Sequence, residues 1–285
     1  MTEIEVPTTR GTVLNGVLFD TPKADTVVIA ITGVHGNFYS NPFYYNFGDT
    51  FNKGGIDFIY AQTNDAFNKI RTYNTKTGKE EIIGSWHEDF NWTDEDIEAY
   101  LNFVTNKGYK HIILAGHSLG ANKVVYYLSR HNDKRVEHFI LLSPANLKFL
   151  TQVVNEDEKA IIKQQVADGN GQKMLPFEFL GWLPCVADTA YQWMFDNFLD
   201  NFHTEVDGDF SQVAKVKHNG ALLIGTYDNF AFGEPVAFLN NINNHFKNPK
   251  ANKMILIEKT GHTYQQKEQE TADKLLELVK DWRTK

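Results

Sequence analysis

Short runs of aliphatic and β-branched residues alternate with longer amphipathic stretches along most of the chain. This alternation predicts a doubly wound, mostly parallel sheet covered by helices on both faces. Residues 4–8 and 13–20 predict an antiparallel opening hairpin, and 26–32 (TVVIAIT) the first strand buried on both faces. Asp57–Ala61, His111–Ala115, Val136–Leu142, Ala221–Gly225 and Met254–Ile257 predict further strands. Helices are expected from just after Asn91 to about Thr105, from Leu119 to about Arg130, and from Thr271 to Trp282. The first opens on Thr93-Asp94-Glu95-Asp96, which is close to a capping box and places acid at the positive helix end.

Between Ser143 and Ala221 the strand pattern lapses for longer than a plain connection in a compact domain allows. An inserted helical cap is expected over 146–214, with 1–145 and 215–285 forming one α/β core. Neither a repeat nor a Pro/Gly/Ser-rich linker divides the chain.

Composition narrows the partners. The 285 residues carry 28 basic and 36 acidic side chains, a net charge of −8, and no Lys/Arg run, which argues against nucleic acid. The first residues lack a basic region followed by an apolar run, and the apolar stretches are only strand-sized, so neither secretion nor a membrane span is expected. A single cysteine, Cys185, excludes an internal disulfide and fits a reducing compartment, with cytoplasmic as the default. Aromatic residues are abundant, at 21 Phe, 12 Tyr and 5 Trp, and hint at an apolar pocket. Oligomeric state is not readable.

Gly116-His117-Ser118-Leu119-Gly120 matches G-x-S-x-G and lies directly between a predicted buried strand and a predicted helix. Only in that context does the motif lift a serine onto a strained corner beside a helix N-terminus, whose free N–H groups can stabilise an oxyanion. The bland alternative is a glycine-rich turn whose serine caps the helix.

A serine hydroxyl needs a base, and in this motif class the acid and the histidine follow it in chain order. His262, in a glycine-containing loop after the last predicted strand, is the candidate base, ahead of His35 and His117. Asp228, three residues beyond Gly225, is the candidate acid that would accept the imidazole Nδ1–H; its alternative is an Asx turn. Asp200, Asp207 and Asp209 stand in reserve. The oxyanion donors are expected to be the N–H of Leu119 and one from Thr32–Phe38, with Asn37 preferred over Phe38. Trp86-His87-Glu88-Asp89 invites a metal reading, but adjacent residues seldom converge on one ion. No metal or cofactor is expected.

The runs VVIAITGVHGN, AGHSLGA, LLIGTYD and KTGHT together resemble the α/β-hydrolase superfamily over most of the chain. The resemblance implies Ser118, Asp228 and His262 as a catalytic triad, with Leu119 and Asn37 as oxyanion donors. It departs where Gly33-Val34 precede His35-Gly36. Residues 175–202 look like the cap such enzymes place over the serine; their aromatic residues either face substrate or form the cap's own core. Phe38, Trp182 and Trp193 are the expected substrate contacts. These readings lead to a carboxylic-ester hydrolase acting on a small acyl substrate. A thioesterase or amidase using the same triad, or a catalytically silent ligand-binding or regulatory module, is the alternative.

Overall fold

A computed structural model describes residues 1–231 and 233–284. Its strands are β1 (Thr2–Pro7), β2 (Val13–Phe19), β3 (Thr26–Ile31), β4 (Asp57–Ala61), β5 (Ile70–Asn74), β6 (Lys79–Ile83), β7 (His111–His117), β8 (Val136–Leu142), β9 (Asn219–Gly225) and β10 (Lys253–Ile257). The main sheet runs in the order β1-β2-β4-β3-β7-β8-β9-β10. Only the β1–β2 and β2–β4 pairings are antiparallel; from β4 to β10 every neighbour is parallel. This is the α/β-hydrolase fold, and β5 and β6 form a separate ribbon.

The two-residue period of β3 explains how one strand serves two cores. Val27, Ile29 and Ile31 pack on the face covered by α2 (Thr93–Lys107), α3 (Leu119–Arg130) and α8 (Pro235–Asn244). Val28 and Ala30 pack on the other face, under α1 (Phe43–Lys53) and α9 (Glu268–Arg283). That second face consumes many of the aromatics: Phe43, Tyr44, Phe47, Phe51 and Tyr264 are each fully buried in it.

The expected capping box of α2 is absent. Trp92 occupies the cap position without a side-chain bond, and the acidic residues are drawn to Arg10, whose guanidinium meets Asp96 at 2.7 Å and Glu95 at 3.2 Å. Between β8 and β9 the chain forms α4 (Leu147–Leu150), α5 (Glu156–Ala167), α6 (Ala187–Met194) and α7 (Ser211–Lys215). Phe179, Leu183, Trp193 and Leu199 of this stretch join Leu119 and Tyr126 of α3 in a third core, which lays the segment over the start of α3.

That start is held by backbone contact. A Cβ on Gly120 would lie 2.3 Å from the Ile31 carbonyl oxygen, so α3 touches β3 with no space between. Gly120→Ala must push helix and strand apart and is expected to destabilise the fold by about 1–3 kcal/mol. Urea unfolding of the two proteins measures this directly.

Candidate active site

Ser118 joins β7 to α3 with φ 55° and ψ −127°, a conformation that costs a residue with a Cβ about 1–3 kcal/mol. Its N–H is fixed by the Leu142 carbonyl at 2.9 Å and its carbonyl by the Ala121 N–H at 2.9 Å. The hydroxyl does not cap α3, which removes the bland reading of the motif. Ser118 and His262 line one cavity of about 210 Å³, together with Val34, Leu119, Trp182 and Trp193. Their side chains form no mutual hydrogen bond in this conformation, a contact that commonly tightens only when substrate arrives.

His262 meets Asp228 through Nδ1, at 3.0 Å from Oδ2 and 3.2 Å from Oδ1. Asp228 lies just past the end of β9 and is 1% exposed. Burial, the largest influence, pushes its carboxyl up; His262, the Phe230 N–H and the Ser143 hydroxyl together outweigh it and hold the group below the ordinary aspartate value. The Phe230 N–H donates at 3.0 Å, so the Asx turn exists alongside the histidine contact rather than in place of it. Ser143 in turn accepts from Tyr264 Oη at 3.0 Å. Neither residue was signalled by the sequence pattern, because each reaches Asp228 only through the sheet register.

His117, a competitor for the base, binds the His262 loop instead: its Nε2 lies 2.9 Å from the His262 carbonyl oxygen. An acceptor there fixes the proton on Nε2. Burial, followed by the proximity of His262, pushes this imidazole down to about 3. His35 also lines the cavity, but its Nε2 is 2.9 Å from Ser85 Oγ, on a ring whose basicity burial lowers.

Two expectations are corrected. The Asn37 N–H is bonded to the His35 carbonyl oxygen at 2.9 Å, and its side chain is spent on His35, Ala66, Tyr39 and Ser40, so it offers the cavity no donor. Phe38 turns to the opposite side of the loop and packs on Tyr60 and Tyr45 at ring distances of 4.3 and 4.5 Å. The loop turns earlier than the His35-Gly36 pair suggested. A Cβ on Gly33 would lie 2.9 Å from the Leu119 nitrogen, which brings the next residue, Val34, beside the elbow. Val34 lines the cavity, and its N–H has no hydrogen-bond partner among the described residues. Leu119 opens α3, so its N–H has none within the helix.

Both tryptophans line the cavity. Trp182 is 44% exposed and packs edge-on to His35 at 5.4 Å, whereas Trp193 is 5% exposed and belongs to the third core. Of the remaining aromatics of 175–202, Phe179 is fully buried against Trp193, Phe198 packs on Tyr126 of α3, and Phe202 joins the core under α2, α3 and α8. Glu88 of the metal-like tetrad is buried against Lys123, which also meets Asp65 at 3.1 Å. Asp200 sits near His203, at 3.7 Å from Nδ1, not near His262.

The depressed His117 value has a thermodynamic consequence. Between pH 6.5 and about 3 the unfolded chain binds a proton at this position that the folded chain refuses, so stability falls as pH falls through that window. His117→Gln, which keeps a donor for the His262 carbonyl, is expected to flatten this part of the profile. Denaturant midpoints of both proteins at pH 6.5, 5 and 4 provide the check.

Several solved structures resemble the whole chain. Est1E from Butyrivibrio proteoclasticus is 16% identical, with 100% of each chain covered and a TM-score of 0.67. The alpha/beta hydrolase GrgF from Penicillium sp. sh18 is 15% identical, with 98% of each chain covered and a TM-score of 0.66. A monoacylglycerol lipase from Paleococcus ferrophilus is 16% identical over 93% of this chain and 97% of its own, with a TM-score of 0.59. At these identities the likeness establishes the α/β-hydrolase fold. No curated protein sequence matches the chain significantly. The family described as "Protein of unknown function (DUF1749)" matches residues 23–282, and the chain belongs to that family.

Proposed function

We propose that the chain is a serine hydrolase that cleaves an ester, or a related acyl bond, of a small molecule through an acyl-enzyme on Ser118. The observation that carries this reading is the meeting, at one cavity, of a strained serine and a histidine whose Nδ1 is bonded to the buried Asp228 carboxylate. The monoacylglycerol lipase among the structural neighbours agrees with it.

In the first step Ser118 Oγ bonds to the substrate carbonyl carbon and its proton passes to His262 Nε2. Asp228 keeps the other nitrogen protonated and stabilises the imidazolium. The N–H groups of Leu119 and Val34 are the donors for the oxyanion, at the positive end of α3. Collapse breaks the bond to the leaving alcohol, which takes the proton from His262. Water then gives a proton to His262 and its oxygen to the acyl carbon, and release of the acid restores the Ser118 hydroxyl. No step requires a cofactor.

The cavity sets the substrate scale. At about 210 Å³ it lies below the roughly 300–1,000 Å³ of pockets that hold drug-sized ligands, and its walls are largely apolar. A short acyl group fits within it.

A fluorophosphonate is expected to add one label to the wild-type chain and none to Ser118→Ala, with His262→Ala strongly slowed. Turnover of p-nitrophenyl esters is expected to peak at short acyl chains and to fall by about 10³-fold or more in either variant. Intact-mass analysis and initial rates read both. Equal labelling of wild type and Ser118→Ala contradicts the assignment, and an unlabelled wild type makes the chain a ligand-binding module.

A further inference from the structure

The cavity at Ser118 is walled mainly by carbon, from Val34, Leu119, Leu150, Phe230 and the two tryptophans. Two of its polar side chains are spent within their own loop: Ser40 Oγ donates to the His35 carbonyl, and Asn41 Nδ2 donates to Ser40 Oγ at 2.8 Å. His35, which the mechanism does not use, is different. Its ring is held at one nitrogen only. Nε2 lies 2.9 Å from Ser85 Oγ, whereas Nδ1 has no hydrogen-bond partner among the described residues and, unlike the unpaired atoms sealed in the interior, remains accessible. The backbone beneath the ring is fixed in a left-handed conformation, with φ 56°. Its N–H donates to the Asp65 carbonyl at 2.8 Å, and its carbonyl accepts from the Asn37 N–H at 2.9 Å and Asn37 Nδ2 at 3.1 Å. Strain held this firmly at a cavity wall points to a functional demand on the side chain.

The neighbours of Ser85 decide which ring nitrogen carries the proton. Asn68 Nδ2 lies 3.2 Å from the Pro184 carbonyl oxygen, which can only accept, so the amide is oriented with its nitrogen on this side. The same Nδ2 donates to Ser85 Oγ at 3.4 Å. Ser85 is fully buried, so its own hydrogen needs an acceptor inside the protein, and among the described residues His35 Nε2 is the one within reach. With Nε2 accepting, the ring proton sits on Nδ1. Burial lowers the basicity of this imidazole, which keeps it neutral with a single donor.

We infer that His35 is a specificity-determining residue, whose Nδ1–H selects acyl groups that carry an oxygen acceptor, a keto or ether oxygen, beyond the scissile carbonyl. The inference rests on the acyl-transfer reading of the same cavity. In a wall of this kind a donor stripped of water and given no partner penalises the wrong substrate, so a purely alkyl acyl group of the same shape is the one disfavoured. Trp182, packed edge-on to the ring at 5.4 Å, covers the donor from the cap side.

Two isosteric pairs of p-nitrophenyl esters place the acceptor at two distances: methoxyacetate against butyrate, and 4-oxopentanoate against 4-methylpentanoate. The readout is the ratio of kcat/KM within each pair, compared between proteins, so that intrinsic ester reactivity and any general loss of activity cancel. For at least one pair the ratio is expected to be about tenfold higher in the wild type than in His35→Phe, which keeps a ring but no donor. Ser85→Ala leaves the imidazole in place, frees its tautomer and should lower the same ratio at least twofold. Nitrogen-resolved NMR of the histidine rings is expected to show the proton of His35 on Nδ1 in the wild type. In Ser118→Ala, which turns nothing over, methyl 4-oxopentanoate should shift the His35 nitrogen signals saturably and methyl 4-methylpentanoate should not. These NMR measurements decide the inference even if the wild type cleaves no ester, an outcome that sinks the acyl-transfer reading alone. A His35 proton on Nε2, no shift of the His35 nitrogens by the keto ester, or ratios equal in wild type and His35→Phe for both pairs would each overturn it.

Discussion

The backbone of Ser118 is the constraint on which the site depends. A left-handed φ at a residue with a Cβ survives only where the surroundings fix it more strongly than it resists. Here β8 holds its N–H, the first turn of α3 holds its carbonyl, and Gly33, Gly116 and Gly120 allow three backbone segments to close around it. The result is a half-buried hydroxyl raised at the C-terminal edge of the sheet, beside the unpaired N–H groups that open α3.

His262, the proposed base, is placed by a separate set of contacts that converge on the same edge. Asp228 and His262 leave the neighbouring parallel strands β9 and β10, and the Tyr227 N–H bonds to the Thr260 carbonyl at 2.9 Å, which ties the two loops together. His117 ties that unit to the elbow through the His262 carbonyl. Because burial keeps His117 neutral, this tie adds no charge beside the His262 imidazole.

Much of this was legible in the sequence. The strands β3, β4, β7 and β9 were readable because burial on both faces demands continuous apolar runs, the edge strand β10 kept an apolar run without full burial, and the placement of Asp228 and His262 beside each other followed from their positions just past β9 and β10. Helix α1 was not readable: Phe43, Tyr44, Phe47 and Phe51 follow a helical spacing, but their aromatic character also suits strands. The β5–β6 ribbon escaped because its residues are largely polar and only Ile70 and Ile83 reach the core. In the oxyanion loop, counting from His35-Gly36 led to Asn37, whereas the turn is made at Gly33, where contact with Leu119 leaves no room for a Cβ. Contacts made across the sheet, such as those of Ser143, Tyr264 and His117, have no local signature at all.

The most direct test of the account is a crystal structure of the chain after reaction with a small fluorophosphonate. The account predicts phosphorus bonded to Ser118 Oγ, its oxygen within hydrogen-bond distance of the Leu119 and Val34 nitrogens, and His262 Nε2 turned toward Oγ with Nδ1 still on Asp228. Phosphorus on another residue, or an oxygen directed away from both nitrogens, would contradict it.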